Sequence, residues 1–185
     1  MRGKKFFGER DCVSLLKTLP NITALIGTLG TGMVVADAFK YEFRIQGVVA
    51  ADLILANKTK NSAIFIEFES GSEFSVFAKT STNQLPNWSR EIEHAMGQVI
   101  DWAWVISDAG NSTLWEQNIG MKSFNAQYLI VCGRDRSLFD DLARKRVGFR
   151  RNQISIAGSK IVFLTYDELF RELDYALTEL RTDNI

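Results

Sequence analysis

The stretch Ala63-Ile64-Phe65-Ile66-Glu67-Phe68-Glu69 decides how this chain folds. It is apolar enough to be a buried strand, yet it carries two carboxylates. Strand side chains alternate faces, so Glu67 and Glu69 point one way while Ile64, Ile66 and Phe68 point the other. Two like charges on one face of a buried strand are costly unless a cation or a shared proton relieves them. Just upstream, Val48-Val49-Ala50-Ala51-Asp52-Leu53-Ile54-Leu55 is a second apolar run with one acid, Asp52, in its middle. The polar turn Asn57-Lys58-Thr59-Lys60-Asn61 joins the two runs into a predicted hairpin that gathers three carboxylates. An oxygen-only cluster of this kind suits Mg²⁺ or Mn²⁺. The plainer alternative is a solvated strand edge, and the apolar neighbours argue against it.

The chain has 185 residues, ample for one domain with its own core, and residues 1–185 are expected to form a single one. Formal net charge is zero, so any nucleic-acid surface is a local patch. Cys12 and Cys132 lie far apart without metal-ligand spacing, which predicts two buried thiols in a reducing compartment. No apolar stretch is long enough to span a membrane, and the start Met-Arg-Gly-Lys-Lys lacks a signal-peptide core. A cytoplasmic location without a membrane partner is expected. There is a single histidine, His94, which argues against zinc hydrolases, histidine-based nucleases and Ser-His-Asp machinery. For a hydrolase, that leaves metal-bound carboxylates. His94 itself reads as a polar helix residue rather than a ligand.

The opening stretch, residues 9–26, has apolar residues near helical spacing, closed by Pro20-Asn21. Residues 34–45 read as a half-buried strand, with Phe39, Tyr41 and Phe43 on one face and Lys40, Glu42 and Arg44 on the other. After the acidic hairpin, residues 70–87 form a long polar loop. Ser89 opens a helix whose inner face carries Ile92, Met96, Val99 and Ala103, and whose polar edge carries Glu91, His94, Gln98 and Asp101. Residues 108–122 read as loop-rich, 128–132 as a strand, 138–147 as a short charged helix, 161–164 as a strand and 166–180 as an amphipathic helix. The order predicts a mixed α/β sheet with helices on both faces.

Two other features have plain explanations. Gly27-Thr28-Leu29-Gly30-Thr31-Gly32 precedes a strand and lacks Gly-Lys-Ser/Thr, so it is a loop and not a phosphate cradle. Of the four tryptophans, three fall within residues 102–115, where the core or a contact between copies of the chain accounts for them. Arg144-Lys145-Arg146 with Arg150-Arg151 is a genuine basic cluster, partly offset by Asp140-Asp141.

An acid in one strand, an apolar-acid-apolar run in the next and then a glutamine-bearing helix resembles the PD-(D/E)XK nuclease superfamily. Asp52 matches the first acid and Glu67 the second, while Glu69 stands where that motif usually has lysine. Gln98 with Trp102 resembles the glutamine-plus-aromatic helix of several branches. The C-terminal half is more specific. Tyr128-Leu-Ile-Val-Cys-Gly133-Arg134, a basic helix, then Ile161-Val-Phe-Leu-Thr165-Tyr166-Asp167-Glu168-Leu169 is similar to the Shedu-type nuclease domain of bacterial anti-phage defence. Gln98-Val-Ile-Asp-Trp102 and Glu42-Phe43 resemble that family too, so the likeness covers roughly residues 9–175. Many Shedu proteins carry an additional N-terminal regulatory region, for which this chain is expected to have no room.

The resemblance implies a restriction-endonuclease-like mixed central sheet flanked by helices, and a metal-dependent DNA endonuclease. Asp52 and Glu67 would bind Mg²⁺ or Mn²⁺, helped by the Ile66 or Phe68 carbonyl. Glu69 would act as base or as ligand for a second metal, and Gln98 would position water or phosphate. By charge alone, Arg134, Arg144 and Arg146 are candidate DNA-backbone contacts. A homo-oligomer is expected. The alternative, favoured by the missing lysine, is a catalytically silent nuclease-fold module that binds nucleic acid or a partner protein.

Overall fold

In the computed structural model, which describes residues 8–30, 32–33, 35–78 and 85–182, Pro20 splits the opening helical stretch in two. Helix α1 spans Glu9–Lys17 and α2 spans Pro20–Leu25. Proline cannot supply the N–H that a continuous helix needs, but it suits the first position of a new one. A 3-10 turn, Ile26–Leu29, follows. Gly30 then presses against the sheet, where a Cβ would collide with the Ile64 side chain.

Strands β1 (Ala38–Ile45), β2 (Val49–Asn57) and β3 (Ser62–Phe68) form an antiparallel meander. Helices α3 (Arg90–Ala109) and α4 (Thr113–Ile119) lead to β4 (Asn125–Val131), which runs parallel to β3. Then come α5 (Asp141–Gln153), the short β5 (Ser155–Ile156), β6 (Ser159–Leu164) and α6 (Tyr166–Thr182). Strand β6 is parallel to β4 and antiparallel to β5. The result is a six-stranded mixed sheet in the order β1-β2-β3-β4-β6-β5.

Each face of the sheet has its own core. On one side Leu53, Leu55, Ile64, Ile66, Phe68 and Leu129 pack under α1, α2 and α6. On the other, Phe43, Ile54, Phe65 and Ile130 pack under α3, α4 and α5, with Trp102 and Trp115 filling that layer. Among the described residues, no single helix is long and apolar enough to cross a membrane. Cys12 and Cys132 are both buried and free, as expected.

The expected single-face alternation of Phe39, Tyr41 and Phe43 does not hold. Phe39 is partly exposed and Tyr41 packs against the α1/α2/α6 core, whereas Phe43 joins the opposite one. Between them Glu42 has φ +51, a left-handed residue inside a strand, and it reverses the alternation. The same reversal occurs in β2 at Asp52. Leu53 and Leu55 face one core, Ala51 the other, although the pairing of β1 with β2 runs on without a slip.

Other expectations shift at the ends. The stretch expected to be loop-rich contains α4, whose N-cap Ser112 accepts from Leu114 N–H. The basic helix begins at Asp141 and is capped by Asp140, which accepts from Ala143 N–H at 2.7 Å. The β5–β6 hairpin turns on Ala157 and Gly158, at φ +50 and +81. Of the long loop expected at 70–87, residues 79–84 lie outside the described residues.

Candidate active site

Strands β2 and β3 pair only as far as Leu53↔Ile66, while β2 stays paired with β1 as far as Ile45↔Val49. The two strands therefore diverge where Asp52 and Glu67 would otherwise face each other. Divergence leaves the Phe68 N–H without a strand partner, and a backbone donor there must find another. It donates to Asp52 Oδ2 at 2.8 Å. Asp52 is thus fixed by the same opening that makes room for the acids.

On the other side of β3, Glu69 N–H donates to the Val131 carbonyl at 2.8 Å, so the pairing with β4 continues past the strand's end. The chain stays extended, and Glu67 and Glu69 keep to one face, the one covered by α3. Ser89 caps that helix by accepting from Ile92 N–H at 3.2 Å. One turn apart on its polar edge, His94 and Gln98 each meet one acid. Gln98 Nε2 donates to Glu67 Oε1 at very short range, and His94 Nδ1 lies 2.8 Å from Glu69 Oε1. A turn further along, Trp102 is buried in the core and seats the helix.

Burial raises all three carboxyls above their ordinary range. Glu67, only 6 % exposed, is pushed up to about 9 by burial first, then by Asp52 and Glu69, with the Gln98 bond opposing. Asp52 is raised to about 6 by burial, against the pull of the Phe68 N–H, with Glu9, Glu69 and Glu42 adding repulsion. Glu69 is raised by burial too, and His94 holds it back. Three acids forced toward their protonated forms are a place where a divalent cation would displace protons.

The donor set fits such an ion. Among the described residues, ligand atoms of Glu67, Glu69 and His94 all lie within 4.8 Å of one another. Asp52 stands beside this group, coupled to Glu67 through charge, rather than within it. Two residues that sequence reasoning passed over therefore belong here. The sequence places His94 on a polar helix edge, and its spacing of four from Gln98 on that edge is the available signal. Glu9, at the start of α1, adds negative charge to all three acids, and nothing in its local sequence signals that.

The C-terminal motif supports the site from beneath. Tyr166 donates its hydroxyl to the Glu69 carbonyl at 2.5 Å. Thr165 and Glu168 form a reciprocal cap for α6: Glu168 N–H donates to Thr165 Oγ1 at 3.1 Å, and Thr165 N–H to Glu168 Oε2 at 2.7 Å.

The structure does not gather the three arginines chosen by charge. Arg134 is held by Asp167 through Nε and Nη2, at 2.6 Å for the latter. Arg146 donates to the Pro86 carbonyl and lies 5.1 Å from the Phe77 ring centre and 4.9 Å from that of Trp88. Arg144 is exposed and pairs with Asp141 at 3.2 Å. The α5 cation that reaches α3 is Arg150, 3.0 Å from Glu93.

Fold and site together define a mixed α/β protein with a carboxylate cluster at the end of a central strand, roofed by a glutamine- and histidine-bearing helix. Residues 4–170 match the family model described as Shedu protein SduA, C-terminal, and the chain belongs to that family. Membership implies a role in anti-phage defence. No curated protein matches the chain.

Proposed function

We propose that the chain is a metal-dependent DNA endonuclease of the PD-(D/E)XK type, working in anti-phage defence with Glu-X-Glu in place of Glu-X-Lys. The observation that carries this is the convergence of Asp52, Glu67 and Glu69 where β2 and β3 part, with Gln98 closing on Glu67 from α3. Asp52, Glu67 and Glu69 would hold Mg²⁺ or Mn²⁺. Bound there, the ion supplies Lewis-acid polarisation of the scissile phosphate and a lowered pKa for the attacking water.

The protein's own groups do the rest. The Phe68 N–H fixes one Asp52 oxygen, so this acid enters the site pre-oriented. Gln98 holds Glu67 through one amide N–H, which favours the ionised acid, and its remaining amide groups would orient water or a phosphate oxygen. Glu69, held in place beside His94, would accept a proton from the attacking water. DNA is the substrate, drawn by the exposed cations of α5.

A second function, a silent module that binds nucleic acid or a partner protein, is favoured by one observation. Glu67 and Glu69 each have a hydrogen-bonding partner within the chain itself. Calorimetry with Mg²⁺ and Mn²⁺, followed by cleavage of plasmid DNA in the same buffers, separates the two. An endonuclease binds the ion and cuts. Ion binding without any cutting makes the chain a silent module.

A further inference from the structure

We propose that His94 is a direct nitrogen ligand of the cation, so that the centre prefers Mn²⁺ or a similar first-row ion to Mg²⁺. This rests on the metal-dependent function above. The His94 Nδ1 to Glu69 Oε1 distance is 2.8 Å. Two neighbouring ligand atoms bound about 2.1 Å from one ion in octahedral geometry sit about 3 Å apart. The imidazole and carboxylate are therefore spaced as adjacent ligands already, and Glu67 lies within 4.8 Å of both.

The placement is also directional. Helix α3 sets Gln98 over Glu67 and His94 over Glu69, one turn apart, with Gln98 Nε2 3.5 Å from the same His94 nitrogen. The His94 side chain is 63 % exposed and that of Glu69 only 14 %, so the imidazole covers the acid from the solvent side. Carboxylate and carbonyl oxygens alone suit Mg²⁺. An imidazole in the set shifts preference toward ions further along the divalent series.

The single histidine makes the test unambiguous. Tag-free protein grown on isotope-labelled histidine is loaded with Mn²⁺ and read by pulsed electron paramagnetic resonance. The expected spectrum shows coupling to one directly bound histidine nitrogen, which changes with the label and vanishes in His94→Ala. His94 is exposed on the helix surface, so this variant folds. Calorimetry should show Mn²⁺ affinity falling about tenfold in the variant while Mg²⁺ affinity changes less than about twofold. Bound Mn²⁺ without histidine coupling overturns the inference and leaves the endonuclease standing. Failure of both ions to bind overturns the endonuclease as well.

Discussion

Glu69 is where several requirements meet. It shares a face with Glu67, its carbonyl accepts from Tyr166 and its carboxylate meets His94. Given its proposed role as base or ligand, Glu69→Ala should lose about 10² to 10⁴ in cleavage rate, even with Mn²⁺ in excess. Glu69→Lys puts an amine on the same face and should impair cutting or change the preferred ion. Cleavage fully preserved in Glu69→Ala removes Glu69 from the chemistry. Asp52 also acts on stability, through its charge. A carboxyl raised in the folded state carries no penalty below about pH 4, where both states are protonated, and stability is lost as pH rises through its folded value. The melting temperature in EDTA should therefore fall as pH climbs through about 6 for Asp52 and on toward about 9 for Glu67. Asp52→Asn keeps an acceptor for the Phe68 N–H and loses the charge. It should match the wild type at acidic pH, exceed it at pH values above about 6, and bind Mn²⁺ more weakly. A variant that melts lower in EDTA with Mn²⁺ affinity intact makes Asp52 structural instead.

At the scale of elements, α5 and the turn before it separate exposed charge, which the proposed DNA contact would use, from charge that holds the fold. Arg144 and Lys145 are exposed, whereas Arg134 is tied to Asp167 and Arg146 to Pro86 and two aromatic rings. Arg144→Glu with Lys145→Glu should weaken DNA binding at low salt and flatten its salt dependence by about 0.9 in log–log slope per lost phosphate contact. Arg134→Ala should lower the melting temperature instead, by an effect of about 1 kcal/mol, because its pair is partly exposed. Affinity unchanged by the double reversal would make this side of α5 a solvated surface.

The elements also show what a sequence does and does not reveal. The β2–β3 hairpin was legible because its runs are long, apolar and bounded by a polar turn. The Ser89 start of α3 was legible because a cap is a local device. Helix α4 was not, since Thr113–Ile119 is too short for its period to stand out. The β5–β6 turn lacks an Asn-Gly or Asp-Gly pair and places Ala157 at positive φ, against local preference. In β1 the alternation itself misled, because a single left-handed residue, Glu42, moves Phe43 to the opposite core. The acids of the site were legible from their improbable place in a buried strand. Their partners were less so, because His94 becomes part of the site only when α3 crosses β3.

Across the whole molecule, β3 is the seam of the sheet, antiparallel to β2 and parallel to β4. Its N-terminal part is buried between two cores, and its C-terminal end emerges where β2 turns away. The acids sit at that end, held by a rigid sheet on one side and by α3 on the other, with Tyr166 reaching in from α6. A centre held this way is pre-organised, as the proposed catalysis requires. The decisive measurement is the conversion of supercoiled plasmid by the wild type and by Glu67→Gln, each with Mn²⁺ and each again in EDTA. The wild type should nick or linearise the plasmid with Mn²⁺ and leave it intact in EDTA, and Glu67→Gln should leave it intact in both. A wild type that binds Mn²⁺ yet never cuts, or a Glu67→Gln variant that cuts as well as the wild type, contradicts a nuclease centred on these carboxylates.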